Sequence, residues 1–272
     1  MKNKNFSTDS KSVKKTTFHS NLKNAIDNDK LSLHYQPRFD VSSGQASILE
    51  ALVRWDRPGV GRIYPEVFIS YAEKNGLIFE LDLWVFKRCC QDLKQMQETF
   101  NNPNLKIAVN LSVLTCESIY YARKIIDISM KYDAPLSNFE FEITEHAETH
   151  DIRKVISFCL TLKNYGAEFS LDDFGTGQSP LVNLNLLPIS IVKIDRCFVQ
   201  GIGNSKSCEI IIRSLVNMVQ ELGMLVVAEG IENSEQYLYM CETGCNQLQG
   251  FSLCRPLDLD RLTLPMLNSP YF

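Results

Sequence analysis

Two adjacent carboxylates, Asp172 and Asp173, end the run Ala167-Glu-Phe-Ser-Leu171 and lead into the turn Gly175-Thr-Gly177. A β-favouring run that finishes in acids and then glycines is how a barrel or open parallel sheet presents side chains at the carboxyl end of a strand. Neighbouring carboxylates repel each other. That repulsion is tolerated in water, or where divalent cations lie between the charges, and the apolar flanks favour the second arrangement. Alone, the stretch reads equally well as a solvated turn with Gly for positive φ. Its meaning depends on what other segments bring to the same level.

Several segments end the same way. Asn110 sits near the end of Ile107–Ser112, Glu142 and Glu145 close Phe139–Glu145, and Lys193 and Asp195 lie in Ile191–Asp195. Glu229 ends Leu225–Glu229, and Gln249 precedes Gly250. Five successive units therefore place Asn, Glu, Asp or Lys at a strand end, the face where barrel enzymes keep their chemistry. The donors are oxygens, with no Cys and no His on those strands. This predicts hard divalent ions, Mg²⁺ or Mn²⁺, rather than Zn²⁺. His146 and His150 share a helical spacing but are not HExxH, and read as exposed or capping residues. Asp173-Phe174-Gly175 matches the metal-binding triplet of protein kinases, yet neither a Gly-rich loop nor an HRD segment accompanies it. The Gly-Thr-Gly turn reads as a mobile loop rather than a phosphate cradle.

The elements that must carry these residues follow from periodicity. Leu31–Gln36 alternates as a strand and Pro37 stops it; a turn at Ser42-Ser-Gly44 leads to a second strand, Ser47–Trp55, so the pair reads as a hairpin. Pro65 suits the first helical position, and Leu77–Phe100 reads as a long helix. Thereafter strands are predicted at Leu105–Leu111, Phe139–Thr144, Ala167–Asp172, Ile189–Ile194, Met224–Glu229 and Cys245–Gln249. Helices are predicted at Thr115–Tyr132, Asp151–Tyr165, Ser205–Leu222 and Ser234–Glu242, with Gly166, Gly223 and Gly244 as C-caps. With the hairpin, these make eight strands in a βα alternation. We read an α/β fold, a TIM-like barrel in preference to a doubly wound sheet.

Bulk properties agree. The 272 residues suit a single α/β barrel of about 250, and 44% hydrophobic with 22% charged residues is ordinary globular composition. Residues 1–16 hold five Lys (2, 4, 11, 14, 15) against Asp9, so +4 of a chain at −4 lies there and −8 on the remainder. An acidic body argues against binding polymeric nucleic acid, whereas acids clustered on a metal can serve a small phosphorylated ligand. Nine scattered Cys without paired CxxC spacing predict reduced thiols in a cytoplasmic protein, and no run of 18 apolar residues forms a transmembrane segment.

Taken together, Tyr35-Gln-Pro37, Glu50-Ala-Leu52 with Arg54-Trp55, Val109-Asn-Leu-Ser112, Glu142-Ile-Thr-Glu145, Asp172-Asp-Phe-Gly-Thr-Gly177, Lys193-Ile-Asp-Arg196, Ala228-Glu-Gly-Ile-Glu232 and Gln249-Gly-Phe251 resemble the EAL family of cyclic di-GMP phosphodiesterases. The similarity covers about residues 20–260. It implies a modified TIM (β/α)8 barrel with one antiparallel strand, arranged here as a disordered Lys-rich leader, 1–16, and a phosphodiesterase domain, 17–272. It also implies hydrolysis of cyclic di-GMP to linear pGpG with two Mg²⁺ or Mn²⁺ ions, and a homodimer.

Carried over by position, the resemblance implies that Glu50, Asn110, Glu142 and Asp172 hold a first ion, and that Asp172 bridges to a second ion also held by Asp173. Glu229 would complete the metal and water network, and Lys193 would orient the attacking water, with Asp172 accepting from it. Arg54 would contact a substrate phosphate, with Gln36 lining the same pocket. Glu145, Glu232 and Gln249 would support the site, Glu145 by steadying the loop after Asp173. This chain departs from the family pattern at Gln178, Ser179 and Pro180, in the loop that couples dimer packing to metal occupancy. It departs also at Arg57 and at Arg38, which is expected to point outward from the end of its strand. Every implied ligand position carries the expected residue type, which favours an active enzyme over the alternative, an inactive EAL-like receptor or interaction module.

Overall fold

The structure is a computed structural model and describes residues 7–144, 151–176 and 180–268. Ten strands form one sheet: β1 (Ser32–Asp40), β2 (Ala46–Arg57), β3 (Gly61–Ile63), β4 (Lys106–Leu111), β5 (Phe139–Thr144), β6 (Glu168–Phe174), β7 (Ile191–Ile194), β8 (Leu225–Ala228), β9 (Gln247–Leu248) and β10 (Leu257–Asp258). From β2 through β4, β5, β6, β7 and β8 to β9 every neighbouring pair is parallel. β1 closes the ring by pairing antiparallel to both β2 and β9. The result is an eight-stranded mixed barrel with one antiparallel strand, with β3 and β10 as short additions beside β2 and β1.

The hairpin reading of β1 and β2 explains the closure. A tight turn at residues 41–45 reverses the chain, and only an antiparallel pair can be joined so briefly; between successive barrel strands from β2 to β9 each connection contains a helix and returns parallel. Period two then sorts each strand. On β5 the rings of Phe139 and Phe141 face out, meeting Phe86 at 5.0 and 5.5 Å on the helix Ile78–Thr99. Phe139, Phe141, Phe86 and Phe169 are fully buried, and each such ring stabilises the fold by about 1.5–3 kcal/mol. The intervening Glu140 and Glu142 consequently face the barrel axis.

The helices begin and end by ordinary chemistry. Ser112, Asp151, Asp195, Ser205 and Asn233 each accept a backbone N–H at a helix start. Gly166, Gly223 and Gly244 take φ of +94°, +76° and +83° just beyond helix ends, as predicted. Two expectations change. The helix foreseen over Thr115–Tyr132 is split into Val113–Cys116 and Ile119–Lys131, because Ser118 is extended at φ −132°. Pro37 does not stop the first strand, which runs on to Asp40 because β1 keeps pairing with β2 past that residue; the first helix runs Ser7–Asp27.

Candidate active site

Strand register puts the polar residues at matched heights. Gln36 pairs with Glu50 across β1 and β2, Asn110 with Glu142 across β4 and β5, and Thr144 with Asp172 across β5 and β6. Successive residues of a regular strand point to opposite faces, so Asp172 and Asp173 would ordinarily diverge. β6 solves this with a register shift against β7 between Leu171 and Phe174, and with Asp173 at φ +56°, a conformation L-residues other than Asn and Asp seldom take. Asp172, Asp173 and Glu229 then each offer a carboxylate oxygen, all within 4.8 Å of one another.

Lys193 stands at the centre. Its side chain is fully buried, and Nζ lies 2.6 Å from Glu229, 2.7 Å from Glu142, 3.3 Å from Asp172 and 3.9 Å from Glu50. Asn110 Nδ2 donates to Glu50 Oε1 at 3.0 Å, and Gln249 Nε2 donates to the other oxygen of Glu50 and to Gln36 Oε1. Gln36 in turn donates to the Cys254 carbonyl at 2.9 Å. Residues from strands far apart in sequence thus form one hydrogen-bonded cluster at the carboxyl end of the barrel.

The electrostatics are one-sided. Glu50, Glu142, Asp172, Asp173 and Glu229 face a single ammonium, which leaves a formal excess of negative charge. Burial, then the charges of Glu50, Asp172 and Glu140, hold the Glu142 carboxyl well above the usual range despite Lys193. Burial together with Asp172 and Glu50 pushes Glu229 up to about 8, again against Lys193. Burial alone would lower Lys193, but its carboxylate neighbours outweigh that and keep it an ammonium. Glu50 is lowered: burial opposes ionisation, but Lys193 and the bonds from Gln249 and Asn110 overcome it. The residues fit divalent cations, since the donors are oxygens, positive charge is short, and Glu142 Oε1 and Gln249 Oε1 are buried without a hydrogen-bond partner.

The cluster floors an open cleft of about 420 Å³ lined by Gln36, Glu50, Asp172, Asp173, Glu229, Glu232, Gln249 and Phe251. Arg54 is not among them. Its guanidinium is half-buried, donates to the Val53 carbonyl at 3.0 Å, and lines an adjoining cavity of about 220 Å³ with Asn110 and Asp82. Leu52 borders both spaces. Asp195 caps a helix through Cys197 N at 2.9 Å, which accounts for its place in the sequence pattern. Glu145, His146 and His150 lie outside the described residues, as do Gln178 and Ser179.

One expectation is overturned. Arg38 does not point outward but is buried in the barrel, 1% exposed, with both terminal nitrogens on the Glu140 carboxylate. Period two carries the signal: Gln36 faces the interior, so Arg38, two residues on in the same strand, must as well. Glu140 follows the same period, sharing the inner face of β5 with Glu142, although no strand-end position marks it in the sequence.

A family model described as "EAL domain" matches residues 19–256. The chain belongs to the EAL domain family. This EAL domain is 36% identical over 241 residues to the cyclic di-GMP phosphodiesterase NbdA of Pseudomonas aeruginosa, covering 89% of this chain and 31% of that protein. It is 35% identical over 242 residues to the cyclic di-GMP phosphodiesterase PdeR of Escherichia coli K12, covering 88% and 36% respectively. The chain therefore spans about a third of the length of these curated relatives. Among solved structures, it superposes on the PaMucR phosphodiesterase, described as a c-di-GMP complex, with a TM-score of 0.83 and 32% identity over 90% of this chain and 99% of that one.

Proposed function

We propose that this EAL domain is a metal-dependent phosphodiesterase that hydrolyses cyclic di-GMP to linear pGpG. The observation that carries the reading is the convergence of Glu50, Glu142, Asp172, Asp173 and Glu229 around buried Lys193 at the mouth of the barrel. Relatives named for this activity support the choice of substrate.

Glu50, Asn110, Glu142 and Asp172 would hold one Mg²⁺ or Mn²⁺, and Asp172, Asp173 and Glu229 a second. When bound, such ions polarise a phosphoryl oxygen and acidify water. Lys193, held as an ammonium, orients the attacking water and stabilises negative charge growing on phosphorus, while Asp172 accepts the water's proton. Oxygen adds to phosphorus, the bond from phosphorus to the 3′ oxygen breaks, that oxygen takes up the proton released from the water to become a hydroxyl, and the ring opens with a 5′-phosphate left on pGpG. Gln36, in the cleft, and Arg54, from the adjoining cavity, contact the dinucleotide, and Glu232 and Gln249 brace the wall.

The protein is proposed to be cytoplasmic. Its cysteines are free thiols, mostly buried, and among the described residues no helix is long and apolar enough to cross a membrane. Exposed Leu181, Val182 and Leu186, on the helix after the Asp172–Asp173 loop, support a homodimer. The test is incubation of the purified chain with cyclic di-GMP and Mn²⁺. Accumulation of pGpG is expected; tight binding with intact substrate would instead establish a receptor.

A further inference from the structure

Beneath the carboxylate cluster lies a second buried charge pair. Arg38 is 1% exposed and Glu140 fully buried. Arg38 Nη1 donates to Glu140 Oε1 at 2.9 Å while Nη2 donates to Oε2, a two-pronged clasp. Nη1 also lies 3.6 Å from Glu142 Oε1, too far for a hydrogen bond but close for two charges in a dry interior. The other oxygen of Glu142 accepts from Lys193 at 2.7 Å. Glu142 is therefore held between two cations, one near each oxygen, and Oε1 keeps no hydrogen-bond partner of its own.

We propose that Arg38 is a positioning residue for the cation-binding carboxylates, fixing Glu142 from below in its place beside Glu50, Asp172 and Lys193. The reasoning is electrostatic and geometric. Glu50, Asp172 and Glu140 all repel Glu142, and without a counter-charge underneath, its side chain would turn away from them. A guanidinium is planar and cannot swing while Glu140 grips both its terminal nitrogens, so its charge is delivered at a fixed place. Glu140 is thus the clamp and Arg38 the support. The inference rests on reading the cluster as a divalent-cation site, and concerns a residue to which the family resemblance assigns no part.

The experiment separates this from a merely structural pair. Replacing both partners, R38M/E140M, exchanges a buried ion pair for apolar side chains of similar size, which buried pairs often tolerate. R38Q/E140Q, isosteric at 140 and shorter but uncharged at 38, provides a second version should the first not fold. Mn²⁺ binding to the full chain is measured by calorimetry without substrate, alongside the melting temperature and, at saturating Mn²⁺, KM for cyclic di-GMP. The folded double variant is expected to bind Mn²⁺ about 10-fold or more weakly, the usual scale for losing support behind a metal ligand, with KM unchanged. A purely structural role would lower the melting temperature and leave the Mn²⁺ constant alone; that result overturns the proposal, as does a wild-type chain that binds no Mn²⁺. A wild-type chain that binds Mn²⁺ without producing pGpG would overturn the functional reading while the binding comparison still tests Arg38.

Discussion

Lys193→Met removes the ammonium from the centre of the cluster and replaces it with a side chain of similar reach. Four carboxylates, those of Glu229, Glu142, Asp172 and Glu50, lie 2.6–3.9 Å from its Nζ, and all lose this counter-charge, Glu142 keeping only Arg38 at 3.6 Å. Breaking a buried ion pair by deleting one partner costs about 3–5 kcal/mol, because the other charge is left buried and unpaired. For a domain of this size that corresponds to a melting temperature lower by about 6–20 °C in EDTA. The deficit should depend on pH. Glu229 is raised from 4.5 to about 8 and Glu142 is raised well above its usual value even with Lys193 present. For a carboxyl raised by folding, stability is fully present below its unfolded pKa and is lost as pH rises through the folded one. The variant therefore falls furthest behind wild type near pH 8.5 and recovers toward pH 6 as these groups take up protons. Added Mn²⁺ should stabilise the variant more than the wild type, since a cation can replace the missing charge. Thermal denaturation followed by circular dichroism, in EDTA and in Mn²⁺ at both pH values, measures all of this. A variant that melts with wild type in EDTA at pH 8.5 would refute the charge-deficit argument.

Glu50→Ala should keep a near-native fold, because it relieves repulsion as well as deleting bonds from Asn110 and Gln249, and should lower turnover by about 10²–10³-fold; full activity by pGpG chromatography would remove Glu50 from the site. Asp82 is pushed by burial from 3.8 to about 7, although Thr115 Oγ1 and Ser112 N both donate to its Oδ2. Its contribution to stability is present below about pH 4 and lost between about pH 4 and 7. Asp82→Asn can keep both bonds through one oxygen, so urea titrations should show a flatter pH profile and a gain above pH 7 of at most about 4 kcal/mol, roughly three units at about 1.4 each. Gly250→Ala would place Cβ 2.1 Å from the Ile231 carbonyl oxygen, a clash with backbone; a loss of about 3 kcal/mol or more is expected in urea, and an unchanged midpoint would show that the loop gives way.

The amino-acid sequence by itself determined the barrel and the identity of the acids. Alternation, helix caps and short connections depend on neighbours in the chain, which is why the hairpin of β1 and β2, the parallel strands after it and the strand-end positions of Asn110, Glu142, Asp172, Lys193 and Glu229 were legible. Tertiary structure decided the distances. No local pattern announces that Lys193 sits 2.6 Å from Glu229, that a bulge and a positive φ turn Asp173 back beside Asp172, or that Arg54 faces a neighbouring cavity. Arg38 marks the boundary between the two. Its inward direction follows from period two, but the partner that makes a buried guanidinium tolerable, Glu140, lies 102 residues away. A charge can remain in the interior only where an opposite charge meets it, and that meeting exists only once the ring of strands has closed.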